Sequence, residues 1–546
     1  MDPVDRRSHR ERWYFFAALI LASIAGAALR TWGITSQVVL DDEWHAIHKL
    51  QAHWWSVFSS FGWSDHSIPL TLFYKAMASL AGLTEGRIRA LQVLSGIALV
   101  PFAGWLAWKA IGDRAASALF AMLVAFSPFL VLWSRFARPY AITLLLAVAC
   151  VASVWAWRTK RSRGLARAVI ATGALTAWLH PISALYPAIA CLFVFLEDGL
   201  AQRQLRSHAA RQSFRLGMAT AGAMAALLVV PLVRDHRSLS AKSGGDFPDL
   251  QTYERMLAIF WGGMPTPAIA VATALSLWGF GILMMRDRRL ALFLAALASL
   301  SALVVSLIGA TWVQEGQNLA RYVLPLQPIL LFAASLGLVS LVRTAAGRRA
   351  GLAAWVAAAM ASFGFAITVP TVEQVARLGS WYAHLDYHWD YRVRNNEAKR
   401  GDPAYTLPAF YAKLSRLPPG STPIIEAPFA HEAPFNNLAF YATFHHQPER
   451  FGMLRDVCRP DKRQGEVPSH DPRFRFKMFV FLQDVEAVRN SGARYLVLER
   501  QDPHGRPFPE SDRCLAALER LLKVLREWDR SEGDHPFRGD GKIKGN

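Results

Sequence analysis

The sequence predicts an α-helical polytopic membrane protein of about 11 spans that carries a C-terminal α/β domain. Three observations predict it. Over half of the 546 residues are hydrophobic (53%) and the mean hydropathy is +0.19, where a soluble chain of this length would be less apolar and nearer neutral. The apolar residues gather into runs close to the length that crosses a bilayer. The loops between those runs alternate between Arg/Lys-rich and Arg/Lys-poor.

The basic start, residues 1–12 ("MDPVDRRSHRER"), precedes a first apolar run, "WYFFAALILASIAGAAL". This pattern resembles a signal peptide, but its small residues form no convincing cleavage site, so it reads as an uncleaved signal anchor. Ten further runs lie at about 90–108, 115–133, 139–157, 166–180, 182–196, 216–233, 267–285, 290–309, 323–342 and 351–369. "LTAWLHPISALYP" joins two of them through a very tight turn at His180-Pro181.

With a cytoplasmic N-terminus, the inside loops are "RRSHRER", "KAIGDR", "RTKRSRGLAR", "RQLRSHAARQSFR", "RDRR" and "RTAAGRR". All are rich in Arg and Lys, as the positive-inside rule requires. The outer loops hold most of the membrane part's Asp and Glu. The formal charge of +19 therefore reflects topology, and nucleic acid is not an expected partner.

An odd number of crossings places everything after Pro370 outside. Residues 371–530 read as a soluble α/β domain, because strand-like runs ("TPIIEAPF", "ARYLVLE") alternate with helical ones ("LPAFYAKLSRL", "DVEAVRNSG", "CLAALERLLKVLREW"). Residues 531–546 hold turn-forming and charged residues and read as a disordered tail. Cys150 and Cys191 lie in apolar runs as small buried hydrophobes. Cys458 and Cys514 lie in the polar part, where an extracytoplasmic setting permits a disulfide.

The first outer loop, 34–88, opens on three consecutive acids, Asp41, Asp42 and Glu43. Trp44, Ile47, Leu50, Trp54 and Phe58 follow at roughly helical spacing, which predicts an amphipathic helix in the interface. "SIPLTLFYKAMASLAGL" reads as interfacial or re-entrant, since counting it as a span would invert every later loop and break the charge rule. Taken alone, acids in such a loop read as solvated, and arginines at span ends as anchors to lipid headgroups.

The order of motifs resembles the membrane glycosyltransferases of the GT-C fold, in the protein O-mannosyltransferase and aminoarabinose transferase group (glycosyltransferase family 39/83-like). "LDDEWHAI" looks like the Asp-Glu motif of the first outer loop, with Asp42 and Glu43 in the matching places. "SDHSIPLTLFYKAMASLAG" looks like the following His-Pro-Pro-Leu segment, with His66 on its histidine. "AFSPFLVLWSRFARPYAITLLL" matches the outer Arg-x-Tyr block at Arg138 and Tyr140, with Arg135 nearby. "TAWLHPISAL" carries the outer histidine, His180, and "ARYVLPLQPILLFAASLGL" matches the late Arg-Tyr-x-x-Pro span at Arg321 and Tyr322. The likeness covers most of residues 13–345. It departs from the pattern where Ser67-Ile68 interrupt His-Pro-Pro-Leu and where Phe136 replaces a frequent acid.

The resemblance implies that residues 13–370 form a catalytic membrane domain whose site faces the periplasm. It also implies a donor sugar on a polyprenyl phosphate, with membrane lipids around its tail, and a lipid, glycan or protein acceptor. Asp42 is then the candidate base for the acceptor hydroxyl, and partial desolvation would raise its pKa toward a useful range. Glu43 would orient Asp42 or the acceptor. If the acceptor is itself a phosphate, Asp42 instead positions it or binds a divalent cation (Mg or Mn), with His45 and His48 as further metal candidates. Arg138, Arg321 and Arg135 would take the leaving phosphate, whose oxygens a guanidinium can fork. His180 and His66 would donate hydrogen bonds or a proton, and Tyr140 and Tyr322 would hold phosphate or sugar. No Walker, Rossmann or zinc-finger spacing points to a nucleotide-sugar donor.

The expected product is a modified lipid A, a surface glycan or a glycosylated protein. Two alternatives stay open. One is an O-antigen ligase or polymerase that uses a pyrophosphate-linked glycan; the other is a non-enzymatic flippase for lipid-linked sugars. A transporter tends to carry charge near the midplane of its spans, whereas here the span centres hold almost none. The Ala/Arg-rich composition and the lack of an Asn-x-Ser/Thr sequon are compatible with a bacterial inner membrane.

Overall fold

A computed structural model describes residues 3–372, apart from 36, 38, 40, 48, 51, 63–65, 202–206, 311–312 and 370. Beyond them it describes 375, 409–427, 445–453, 473, 475–477, 479–482, 485–498 and 523. Cys458, Cys514, His48 and the 531–546 tail lie outside the described residues. The chain forms two compact units. One comprises residues 1–31, 54–72 and 89–372; the other comprises 32–53, 73–88 and 373–546.

The helices in chain order are α1 (Pro3–Thr31), α2 (Trp44–Ile47), α3 (Trp54–Phe58), α4 (Ile68–Ala81), α5 (Glu85–Ile88), α6 (Ala90–Ile111) and α7 (Arg114–Phe126). Then come α8 (Pro128–Arg135), α9 (Tyr140–Lys160), α10 (Arg163–Leu179), α11 (Leu185–Ala201), α12 (His208–Arg234), α13 (His236–Ala241) and α14 (Leu250–Phe260). The membrane part closes with α15 (Thr266–Arg286), α16 (Arg288–Ile308), α17 (Gly316–Tyr322), α18 (Leu326–Ala346) and α19 (Ala350–Thr368). Among the described residues nine helices are long and apolar enough to cross a membrane, or ten if the bent pair α7 and α8 is one span.

The eleventh expected run is α10, whose 17 residues include Arg163 and Arg167, so it falls short in length. The run expected at 115–133 is broken at Ser127-Pro128 because proline has no N–H for the carbonyl four residues back. The two pieces differ in direction by 51°. At 14 residues, α4 is roughly 21 Å long, too short for a bilayer core. The single interfacial helix expected over 44–58 is also absent. Lys75 donates to the carbonyls of Leu50 and Ala52, which a continuing helix would have bonded to N–H groups four residues on. The chain therefore breaks into α2 and α3, with Ile47 and Leu50 buried and Trp54 and Trp55 exposed.

Caps set the starts of several long helices. Asp113, Ser162, Ser207 and Asp287 each accept a backbone N–H three residues on. The Arg-rich helix ends meet on one face of the bundle. Asp113 pairs with Arg343 and Arg286, Glu197 with Arg158 (2.7 Å) and Arg289 (3.5 Å), and Asp198 with Arg161 (2.7 Å). Arg161 has φ 47°, a conformation rare without glycine; its ion pair and a hydrogen bond to Ser213 (2.9 Å) hold it there. Small residues bring α15 and α18 together: a Cβ on Gly279 would lie 1.8 Å from the Ala333 carbonyl oxygen.

The second unit contains a parallel sheet of β1 (Ile424–Ala427), β2 (Glu449–Met453), β3 (Phe479–Phe481) and β4 (Tyr495–Leu498), in the order β3-β2-β1-β4. The register aligns Ile424 with Glu449 and with Tyr495. Apolar residues on both faces suit a sheet covered on both sides. Tyr411 and Leu414 of α20 (Ala409–Leu414) pack with Ile424. Val488 of α21 (Val485–Asn490) packs with Ile425, Ala427, Val480 and Leu482. The predicted α/β layer is thus present. It also recruits part of the 34–88 segment: Leu83 N–H donates to the Arg473 carbonyl (2.6 Å), Arg475 N–H to the Leu83 carbonyl (2.7 Å), and Lys477 N–H to Glu85 (2.6 Å).

Candidate functional site

In the helical unit, three chain turns bring Tyr140, His180, Arg321 and Tyr322 together. The first is the short link from α8 to α9. Arg138 N–H bonds back to the Phe136 carbonyl (2.7 Å), and Pro139 then sets the φ from which α9 starts at Tyr140. The second is the α10–α11 turn, where His180 is extended (φ −154°) ahead of a 3-10 turn begun by Pro181. The third is α17, which ends at Tyr322 just before α18.

Their side chains form one stack. The Tyr140 ring lies 4.3 Å from Trp133 and 5.5 Å from His180, and His180 lies 5.8 Å from Tyr322. The Arg321 guanidinium sits over Tyr322 (5.1 Å) and Tyr140 (6.0 Å). It also donates to the Tyr322 hydroxyl at 3.4 Å. Tyr186 braces the group by donating to the Tyr322 carbonyl (3.1 Å).

Electrostatics single out His180. Burial, then the positive charges of Arg138 and Arg321, push its pKa down to about 3. It is therefore a neutral imidazole at physiological pH, able to donate one hydrogen bond and poor as a proton source. Two guanidiniums close enough to repel a proton from one ring make a strongly electropositive spot, suited to an anion.

Arg135 and His66 are placed differently. Arg135 is buried and donates to the Leu29 carbonyl of α1 (2.9 Å), with Arg30 and Arg89 as its charged neighbours. His66 is buried between α3 and α4, next to the apolar cluster of Phe61, Ile68, Ala177 and Leu228. That segment is pinned by Asp235, which accepts from Ser60 Oγ at 3.0 and 3.1 Å and from Phe61 N–H.

In the other unit, the acids form a 3-10 turn, Asp41–Glu43, that runs into α2. Glu43 is 0% exposed, so no acceptor can reach it without rearrangement. Asp42 keeps 20% of its side chain exposed, and His45 Nε2 lies 3.1 Å from its Oδ1. Three similar charges in sequence have thus become one accessible carboxylate with an imidazole partner and one buried carboxylate. Among the described residues no group of three or more His, Cys, Asp or Glu could hold a metal ion.

Sequence reasoning missed several supporting residues. Trp133 and Tyr186 look like ordinary apolar-run aromatics, and no local pattern marks them as neighbours of Tyr140 and Tyr322. Lys75 sits in the middle of α4, and its lone charge in an apolar stretch was a usable signal. Burial and the nearby Arg473 lower its pKa, while two carbonyls hold its ammonium.

No protein-family model matches the sequence, and no curated protein matches it. Among solved structures, the chain is similar to ArnT from Cupriavidus metallidurans bound to undecaprenyl phosphate. That match has 12% identity and a TM-score of 0.42, over 81% of this chain and 86% of that one. The same protein in its apo state matches at 13% identity and a TM-score of 0.43, over 90% and 93% of the two chains. The arabinosyltransferase EmbB from Mycobacterium smegmatis matches at 12% identity and a TM-score of 0.40; 70% of this chain covers 41% of that one.

Proposed function

We propose that this chain is a membrane glycosyltransferase of the GT-C fold. On this reading it moves a sugar from a polyprenyl-phosphate donor to a lipid, glycan or protein acceptor on the periplasmic side of a bacterial inner membrane. The observation that carries the reading is the convergence of Arg138 and Arg321 on a neutral His180 between Tyr140 and Tyr322. Two fixed cations, one imidazole donor and two phenols, at the ends of apolar helices, suit a phosphate whose lipid tail lies in the bilayer. The motif order in the sequence supports the same class.

In this reaction the acceptor oxygen attacks the anomeric carbon, the bond from that carbon to the donor phosphate oxygen breaks, and the lipid phosphate leaves with the bonding pair. Arg138 and Arg321 offset its growing negative charge. The motif match, rather than any placement beside the arginines, assigns the acceptor proton to Asp42. Attack opposite the leaving group inverts the anomeric centre. His180 donates a hydrogen bond and leaves its own protonation unchanged.

The test is binding of undecaprenyl phosphate to the purified full-length protein. Arg138→Ala should weaken it at least tenfold, and unchanged affinity would remove the phosphate reading.

A further inference from the structure

The break between α7 and α8 leaves backbone carbonyls without helical donors. Pro128 has no N–H for the Val124 carbonyl, and the 51° change of direction takes later N–H groups away from those of Ala125 and Phe126. Buried carbonyls must find partners elsewhere. Here a side chain from another helix supplies most of them. Arg30, at the end of α1, donates from Nη2 to the Val124 carbonyl (3.3 Å) and from Nη1 to the Ala125 carbonyl (3.1 Å). It also donates from Nη1 to Gly26 in its own helix (3.0 Å) and from Nε to Ser134 Oγ of α8 (3.2 Å). Thr371 Oγ1 takes the Phe126 carbonyl (2.6 Å), and Gln327 Nε2 bridges Ser127 Oγ (2.8 Å) to the Phe260 carbonyl (2.7 Å).

Arg30 is 0% exposed, and the packing leaves a specific space for it. A Cβ on Gly96 would lie 2.8 Å from Arg30 Nε and 2.0 Å from Ser134 Oγ, and one on Gly26 would lie 3.3 Å from Arg30 Nη1. All four of its hydrogen-bond acceptors are neutral oxygens. A cation buried at such cost and spent on carbonyls needs a reason beyond charge pairing. A planar fork that reaches two helices at once is something lysine cannot reproduce.

What the break aims is the phosphate cluster. The eight residues of α8 make a lever about 12 Å long, so a 10° change at Ser127 moves its far end by roughly 2 Å. Beyond that end come Arg138 and Tyr140, and Trp133 of α8 packs against the Tyr140 ring at 4.3 Å. Misplacement on this scale is enough to weaken a preorganised site heavily.

We propose that Arg30 is a positioning residue for the candidate phosphate site: by holding the carbonyls freed at the α7–α8 break, it sets the direction of the segment that carries Arg138 and Tyr140. This rests on the reading of that cluster as the donor phosphate site.

The experiment compares thermal stability and undecaprenyl phosphate affinity in full-length Arg30→Met, Arg30→Lys, Arg30→Met with Pro128→Ala, and Arg138→Ala. Arg30→Met should lose both stability and at least tenfold in affinity, and Arg30→Lys should lie between it and the parent. Restoring an N–H at position 128 should return stability to the double variant while its affinity stays low, because the repaired helix runs straighter. A folded double variant with parental affinity would overturn the proposal, as would Arg30→Met or Arg30→Lys that loses stability yet binds within twofold of the parent. If Arg138→Ala alone binds normally, the phosphate reading fails and this inference fails with it; if Arg138→Ala is weak while the Arg30 variants bind normally, only this inference fails.

Discussion

His45 Nε2 lies 3.1 Å from Asp42 Oδ1, one helical step along the chain, while the adjacent Glu43 is fully buried. The imidazole limits where the Asp42 carboxylate can point, and a fifth of the side chain stays exposed. Asp42→Asn keeps the shape and removes the basicity. It should lower transfer about 10²–10⁴-fold with donor affinity unchanged, as read by single-turnover transfer beside a binding assay. Near-normal transfer would rule Asp42 out as the base. Glu43→Gln should act on stability first, since its carboxyl is out of reach of substrate.

The two arginines around His180 should behave alike. Loss of either Arg138 or Arg321 to alanine should cost roughly 1.5–3 kcal/mol of donor binding, the range for hydrogen bonds to charged groups. Each loss should also release His180 from part of the repulsion that, after burial, holds its pKa down to about 3. In the parent, donor affinity should therefore show no His180 step between pH 5 and 8. NMR of the labelled imidazole would check this; a titration near pH 6.5 in the parent would contradict the electropositive cluster.

The α/β unit should have its own pH response. Glu426 is buried against Glu449 and Tyr411, and burial pushes its pKa up from 4.5 to about 7. The unfolded chain gives up that proton near 4.5 and the folded unit near 7. The contribution to stability is therefore full below about 4.5 and is lost as pH rises through 7. His445 stacks on Tyr411 at 5.8 Å. Burial, with a smaller push from His446, holds its pKa down to about 4, so its contribution is present above 6.5 and lost as pH falls through 4. Hydrogen exchange of the β1 amides in the full-length protein, corrected for intrinsic rates, should show protection falling from pH 6.5 to 8. Glu426→Gln should flatten that slope, and a slope that survives it would assign the effect elsewhere.

Topology is open to direct labelling. Single cysteines introduced between residues 375 and 530 should react with an impermeant reagent added outside intact spheroplasts. Cysteines at 110, 160 and 288 should react only after permeabilisation. Labelling of the second set from outside would invert the orientation.

Much of the fold was legible because it rests on local rules. Apolar run length located the helices. The capping residues Asp113, Ser162, Ser207 and Asp287 stand just before helices that they start. Where local rules failed, a distant residue intervened: Lys75 takes the carbonyls of Leu50 and Ala52 between α2 and α3, and the helix expected through Leu50 and Trp54 did not form. The cluster residues Tyr140, His180, Arg321 and Tyr322 were named from motif order. Their stacking was not, since 40 residues of chain separate Tyr140 from His180 and 142 separate His180 from Tyr322, pairs that meet within 6 Å.

The amino-acid sequence by itself determined the class of this protein, the path of its helices and the residue types gathered at their ends, because hydrophobic length and local capping act within a few residues. Only the tertiary structure decided which acid of Asp41-Asp42-Glu43 is sealed and which carries an imidazole, and that His180 is held neutral. It also decided that Arg30 faces a broken helix rather than lipid headgroups. Burial and charge proximity are properties of what packs around a residue, and that packing is set by parts of the chain far away in sequence.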